Sequence, residues 1–167
     1  MTLHELAFMY GTDKLEHGYI EFYEQHLPNN PKKILEIGVK EGRSIQMWQK
    51  YFPEAEIHGL DLFMEFPVPS IPGIKFWKAN QCDWEILEIL RREDFDVIID
   101  DGSHNSRDQM MTFFGLFNGK HYFIEDLHCC DDPFYQQGLP ELLTAKQRPF
   151  SAVPGTIKGT NIILLKC

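Results

Sequence analysis

The chain has no run approaching the ~18 consecutive apolar residues of a membrane span, and its first residues, MTLHELAFMY, carry no basic stretch leading into a long apolar one. Both absences point to a cytoplasmic protein without a membrane partner. CxxC is missing too: the four cysteines, Cys82, Cys129, Cys130 and Cys167, include an adjacent pair and the last residue. That spacing does not suggest a disulfide framework, and the run His128-Cys129-Cys130-Asp131-Asp132 has no structural-zinc spacing behind it, so reduced thiols are expected. Positive charge is scarce. With 16 Lys and Arg against 25 Asp and Glu, the formal net charge is −9. No basic cluster is dense enough to track phosphates, which makes nucleic acid a poor partner. Internal repeats, low-complexity tracts and linkers are also absent, as is a full GxGxxG fingerprint.

What is present suits one ordinary core. At 167 residues and 43% hydrophobic composition, the chain is long enough for one domain and short for two, so a single domain over 1–167 is expected. Short apolar runs rich in Ile and Val recur: KILEIGV (33–39), EIHGLDL (56–62), IKFWKA (74–79), FDVIIDD (95–101) and HYFIEDL (121–127). Runs without strict alternation suit strands covered on both faces. Helical patterns fall at 43–52, 83–92 and 105–117, with apolar residues three and four apart. The alternation predicts a mainly parallel α/β sheet. FSAVPGTI (150–157) and TNIILLKC (160–167) are only two residues apart, too close for a parallel crossover, and predict an antiparallel hairpin at the sheet edge. Two further helices should flank Gly11-Thr12-Asp13-Lys14. Five parallel strands closed by a hairpin is the plan of Rossmann-like class I methyltransferases, although a plan alone does not fix a chemistry.

The chemistry-bearing residues fall where such a sheet binds ligands, at the carboxyl ends of its strands. EIGVKEG places Glu36, Gly38 and Gly42 at the first strand-to-helix turn, where backbone can approach a ligand closely. Asp61 closes the second strand, 19 residues after Gly42, where an acceptor for ribose hydroxyls is expected; a turn aspartate reads equally well. Asn80, Gln81 and Asp83 follow the third strand, in reach of a base edge. IIDDGSHNSRDQ (98–109) and IEDLH (124–128) each set two adjacent carboxylates where an apolar run stops. If these strands are neighbours, Asp100, Asp101, Glu125 and Asp126 converge and repel unless a cation intervenes, which suits Mg²⁺ or another hard divalent ion; capping and surface ion pairs are the plainer alternative. Side chains alternate along a strand, so Asp101 is assigned to the metal and Asp100 to orientation near the cofactor. His104, at the start of the following helix, is the best candidate general base.

YGTDK (10–14) with HGY (17–19), LEIGVKEGRS (35–44) with MWQKYFP (47–53), GLDL (59–62), IIDDGSH and IEDLH occur in this order over nearly the whole chain. Together they resemble the metal-dependent, S-adenosylmethionine-using O-methyltransferases of macrolide sugars and the related cephalosporin-hydroxylase-like and rhamnosyl O-methyltransferases. The resemblance implies that Asp101, Glu125 and Asp126 hold Mg²⁺ and that His104 takes a proton from a substrate hydroxyl. It implies that Glu36, Gly38, Gly42, Ser44 and Asp61 hold the methionine and ribose portions of S-adenosyl-L-methionine, with Asn80, Gln81 and Asp100 nearby. Residues 1–30 become a helical lid, with Tyr10, Thr12 and Lys14 folding over the cofactor. The expected acceptor is a hydroxyl of a sugar or glycosylated small molecule.

Two departures from the family pattern stand out. Ala79-Asn80-Gln81 replaces a common G-D-Q, and the segment from about 128 to 149 is short for an acceptor pocket. Either a large acceptor binds an open face or another subunit of a homo-oligomer completes the pocket. A catalytically silent cofactor-binding or assembly protein remains the alternative from another class. A dehydrogenase lacks its glycine fingerprint, and a metal hydrolase leaves Asp61 and the glycine turn unexplained.

Overall fold

The computed structural model describes residues 1–62, 66–127, 151–157 and 160–167, the side chains of 151–157, 160 and 161 excepted. The expectations for residues 128–149, including Cys129 and Cys130, therefore lie outside the described residues. Two short helices open the chain, α1 (Leu3–Tyr10) and α2 (Tyr19–His26). A reciprocal cap starts α1: Thr2 Oγ1 accepts from the Glu5 N–H at 3.1 Å, and Glu5 Oε2 accepts from the Thr2 N–H at 2.9 Å.

The sheet then builds from β1 (Lys33–Ile37), β2 (Glu56–Asp61), β3 (Ile74–Lys78), β4 (Val97–Asp100), β5 (His121–Ile124), β6 (Ser151–Ile157) and β7 (Thr160–Lys166). Helices α3 (Arg43–Tyr51), α4 (Trp84–Arg91) and α5 (Ser106–Leu116) follow β1, β3 and β4. The seven strands lie in the order β3-β2-β1-β4-β5-β7-β6. β1 to β5 are parallel, while β7 runs antiparallel to both β5 and β6. This is the predicted parallel sheet with its terminal hairpin. Pro154 lies in β6, the outermost strand, where a missing N–H leaves no central ladder bond unmade.

Alternating side chains give the sheet two apolar faces. Ile34, Ile57, Val97, Ile99 and Phe123 pack with Leu3, Leu6, Tyr19, Tyr23, Ile45 and Trp48 of α1, α2 and α3. Leu35, Leu60, Ile98, Tyr122 and Ile124 pack with Leu87, Leu90, Phe113 and Leu116 of α4 and α5. Both faces are covered, which is why these strands read as near-continuous apolar runs. Winding reverses between β1 and β4, so a crevice opens beyond their carboxyl ends. No helix among the described residues is long and apolar enough to cross a membrane.

Candidate active site

Gly38, just past β1, has φ 86°, and a Cβ there would lie 1.9 Å from the Asp101 carbonyl oxygen. Only glycine lets the β1 and β4 ends approach this closely. Two adjoining cavities share Gly38, Lys40, Phe66 and Asp101. One, of about 280 Å³, runs past Asp61, Asn80, Gln81, Gly102 and Ser103. The other, of about 400 Å³, is walled by Gly11, Thr12, Asp13 and Ser44. Together they fall within the roughly 300–1,000 Å³ of small-molecule sites.

The expected cofactor residues divide into those that line the cleft and those that support it. Asp61 lines it while its Oδ2 accepts from the N–H groups of Val39 at 2.6 Å and Lys40 at 3.0 Å, so the turn-aspartate reading also holds. Asn80 lines it too, its Oδ1 accepting from the Cys82 N–H at 2.8 Å. Gln81 ties two loops together: its Oε1 accepts from Ser103 N–H at 2.8 Å, and its Nε2 donates to Thr112 Oγ1 at 3.2 Å and Asp100 Oδ1 at 3.4 Å. Asp83 caps α4 and is absent from the cavity walls.

Five of the expected cofactor residues, Asp100, Glu36, Gly42, Tyr10 and Lys14, are not among the residues walling these two cavities. Asp100 is fully buried beneath the cleft, where its Oδ2 accepts from the Tyr122 hydroxyl at 3.1 Å. Burial pushes its carboxyl up to about 7, against the hydrogen bonds from Tyr122, Gly102 and Gln81. Glu36 is also fully buried and turned away from both cavities, accepting from Ser44 Oγ at 2.9 Å and Trp48 Nε1 at 3.3 Å. Gly42, at φ 84°, starts α3 beside Pro69 and Ile71 and lines neither cavity. Tyr10 packs against the core at the end of α1, away from both cavity walls.

Lys14 departs furthest from expectation. It is fully buried, and its Nζ lies 2.7 Å from Asp101, 2.9 Å from Glu125 and 3.3 Å from Glu36. One ammonium thus joins the ends of β1, β4 and β5. Burial disfavours its charge, but Asp101, Glu125 and Glu36 outweigh that and hold its pKa well above the usual lysine value. Glu125 also accepts from the Tyr23 hydroxyl. Burial, with Asp101 adding to it, raises the Glu125 carboxyl well above the ordinary range despite Lys14.

Asp126 faces the other way. Its Oδ1 accepts from the Tyr19 hydroxyl at 2.7 Å and lies 3.6 Å from His17 Nδ1, while its Oδ2 lies 3.6 Å from His104 Nε2. Ligand atoms of Asp101, His104 and Asp126 all lie within 4.8 Å of one another, and His104 Nδ1 is buried with no hydrogen-bond partner. Two carboxylates this close fit a hard divalent ion, and the imidazole beside them, with one nitrogen unused, fits a proton acceptor. As folded, Glu125 stands outside this trio and faces Lys14 instead. A second trio, Glu56, His58 and Glu93, fits an ion poorly. There His58 Nδ1 accepts from Trp77 Nε1 at 3.3 Å, its Nε2 meets Glu56 at 2.7 Å, and Glu93 is held by Lys33 and Lys75.

His17, Tyr19 and Tyr23 were not among the expected site residues. Tyr19 and Tyr23 lie four apart on α2 and read as an apolar stripe; only their convergence on IEDLH reveals their hydroxyls as site groups.

A parallel sheet with a terminal antiparallel pair, and a cleft at its switch point, define the fold of class I methyltransferases. No family profile matches the chain. It is 34% identical over 151 residues to the 8-demethyl-8-(2-methoxy-alpha-L-rhamnosyl)-tetracenomycin-C 3'-O-methyltransferase of Streptomyces olivaceus, a match covering 80% of this chain and 38% of that protein. It is also 34% identical over 143 residues to the mycinamicin VI 2''-O-methyltransferase of Micromonospora griseorubida, covering 75% of this chain and 36% of that one. The chain thus spans less than two fifths of the length of these relatives. Among solved structures it is similar to MycE methyltransferase in complex with Mg, SAH and mycinamycin VI, with TM-score 0.61 and 24% identity over 98% of this chain and 47% of that one. It is also similar to an O-methyltransferase from Bacillus cereus in complex with SAH, with TM-score 0.60 and 13% identity over 99% of this chain and 90% of that one. The resemblance carried by the motifs is borne out by these relatives.

Proposed function

We propose that this chain transfers a methyl group from S-adenosyl-L-methionine to a hydroxyl of a sugar on a glycosylated small molecule, with the help of Mg²⁺ or another hard divalent ion. The observation that carries this reading is the meeting of Asp101, His104 and Asp126 at the edge of the cleft walled by Gly38, Asp61 and Gln81. The relatives' named substrates, rhamnosyl tetracenomycins and a mycinamicin, support the acceptor class.

In this reading Gly38 and the loop held by Asp61 receive the cofactor's backbone-facing portions, Asn80 and Gln81 bound the far end of the cleft, and Gly11 to Asp13 cover the methionine side. When bound, the cofactor would supply an electrophilic methyl and the divalent ion would lower the pKa of the acceptor hydroxyl. Asp101 and Asp126 would hold that ion. His104 Nε2 takes the hydroxyl proton, and Asp126 Oδ2, at 3.6 Å, stabilises the resulting imidazolium. Transfer would form the oxygen–carbon bond as the carbon–sulfur bond breaks, with S-adenosylhomocysteine as the leaving product and no covalent enzyme intermediate.

Calorimetric titration of S-adenosylmethionine into the protein, with Mg²⁺ and with chelator, tests the reading. Binding that is lost in Asp61→Ala, followed by methylation in a screen of glycosides, is the expected result. Absence of binding under every condition would overturn the reading for this chain alone and favour the silent relative.

A further inference from the structure

HGY (17–19) is one of the motifs that carry the family resemblance, yet the proposed reaction gives it no part. Its glycine opens α2 in a left-handed conformation, φ 75°, with no side-chain cap. That turn, which glycine makes at little cost, brings the residues on either side of Gly18 to the same carboxylate. The Tyr19 hydroxyl donates to Asp126 Oδ1 at 2.7 Å and accepts from the Asp126 N–H at 3.3 Å, while His17 Nδ1 lies 3.6 Å from that same Oδ1. The two rings meet edge to face, their centroids 5.5 Å apart. Tyr19 is fully buried and His17 partly exposed, so the tyrosine holds Asp126 from the core side. Asp126 lies beyond Ile124, the last residue of β5 in register with β4 and β7, and its N–H goes to the Tyr19 hydroxyl instead of to a neighbouring strand. With Oδ1 engaged by Tyr19, Oδ2 is the oxygen turned to His104, at 3.6 Å.

We propose that Tyr19 is a positioning residue for the divalent ion: one hydroxyl fixes the side chain and the backbone of Asp126 together, so that Oδ2 is aimed before any ion arrives. This rests on the reading of Asp126 as a ligand of the ion, and it holds whether or not Glu125 is a ligand as well. A carboxylate already held by its neighbours gives up little freedom when it binds. Removing the hydrogen-bond partner of a metal ligand costs about 10- to 100-fold in metal affinity. A tyrosine that only pinned α2 to the sheet would behave differently, since its loss would loosen the fold and leave the ion's affinity where it was. Tyr122 supplies the comparison: it is equally buried and donates to Asp100 Oδ2 at 3.1 Å. Asp100 sits within β4, whose backbone is laddered to β1 and β5, so losing that bond leaves the strand in place.

The experiment is Mn²⁺ binding, followed by electron paramagnetic resonance on protein freed of cofactor, with no turnover required. Wild type, Tyr19→Phe, Tyr122→Phe and Asp126→Asn are compared, with a urea midpoint for each. Tyr19→Phe should bind Mn²⁺ about 10- to 100-fold more weakly than wild type. Tyr122→Phe should stay near wild type, although it too loses a buried hydroxyl–carboxylate bond, and Asp126→Asn should lose the ion. Unchanged or tighter binding by Tyr19→Phe, with Asp126→Asn failing to bind, would overturn the role of Tyr19 and leave the metal reading standing. Equal weakening in both tyrosine variants would also overturn it, because the loss would then be a general loosening of the site. No binding by wild type, or undiminished binding by Asp126→Asn, would overturn the metal reading and this role with it. Should Tyr19→Phe fail to fold, wild type decides by reciprocity: if the Tyr19 contact strengthens ion binding, the ion must strengthen that contact. Mn²⁺ should then slow amide hydrogen exchange in residues 17–26 and leave α4 unchanged, and equal exchange with and without the ion would overturn the proposal.

Discussion

His104 and Asp126 face each other at 3.6 Å, and both hold left-handed backbone angles, φ 58° and 54°. Neither is a residue that adopts this region without cost, and strain of this kind collects where a side chain must be aimed. His104→Ala should cut turnover by about 10² or more while Mn²⁺ stays bound to Asp101 and Asp126. Unchanged turnover would remove His104 as the base.

The backbone cost at His104 can be separated from its chemistry. His104→Gly should be more stable than His104→Ala by about 1 kcal/mol, since only glycine visits positive φ freely. Urea midpoints of the two variants check this, and equal stability would mean that the left-handed turn carries no strain.

Asp126→Asn and Glu125→Gln should fail differently. The first leaves the fold intact and loses the ion and activity. The second removes one of the three carboxylates around the fully buried Lys14 ammonium, and should lower stability by about 2 kcal/mol in chemical denaturation. If Glu125→Gln is stable yet cannot bind the ion, Glu125 is a ligand after all, as the resemblance implied.

Gly38→Ala should destabilise by about 2 kcal/mol or more and abolish cofactor binding, because the added methyl lands on the Asp101 carbonyl at 1.9 Å. Thermal melting and calorimetry read the two effects separately.

Asp100 predicts a pH dependence. Burial raises its pKa from 3.8 to about 7, so between these values the folded protein holds a proton that the unfolded chain has released. Its contribution is fully present below pH 3.8 and fades as pH rises through about 7. Asp100→Asn, measured in chelator, should flatten the loss of stability across that window. A parallel curve for wild type and variant would show that Asp100 is ionised throughout.

The strands were legible because both faces of the sheet are buried, so KILEI, VIID and HYFI are apolar throughout. The hairpin was legible from two residues of spacing. That the ends of β4 and β5 lie side by side followed from strand order, and alternation accounts for Asp100 turning under the cleft while Asp101 lines it. What could not be read was the cation nearest to hand. Lys14 lies 87 residues from Asp101 and 111 from Glu125, and nothing local in GTDK distinguishes a lysine over a cofactor from one beneath it. The direction of Glu36 could not be read for the same reason: a carboxylate at a strand end points either into the cleft or under the neighbouring helix, and its bonds to Ser44 and Trp48 decide which.

The Lys14 to Glu125 pair also has a history in time. Emerging from a ribosome at roughly 5–20 residues per second, Lys14 precedes its partner by on the order of ten seconds. Until β5 exists, Lys14 and Tyr23 lack their shared partner Glu125, so the docking of this segment and of α2 onto the sheet is completed late. Folding rate should therefore depend on this distant closure as well as on the local packing of α2.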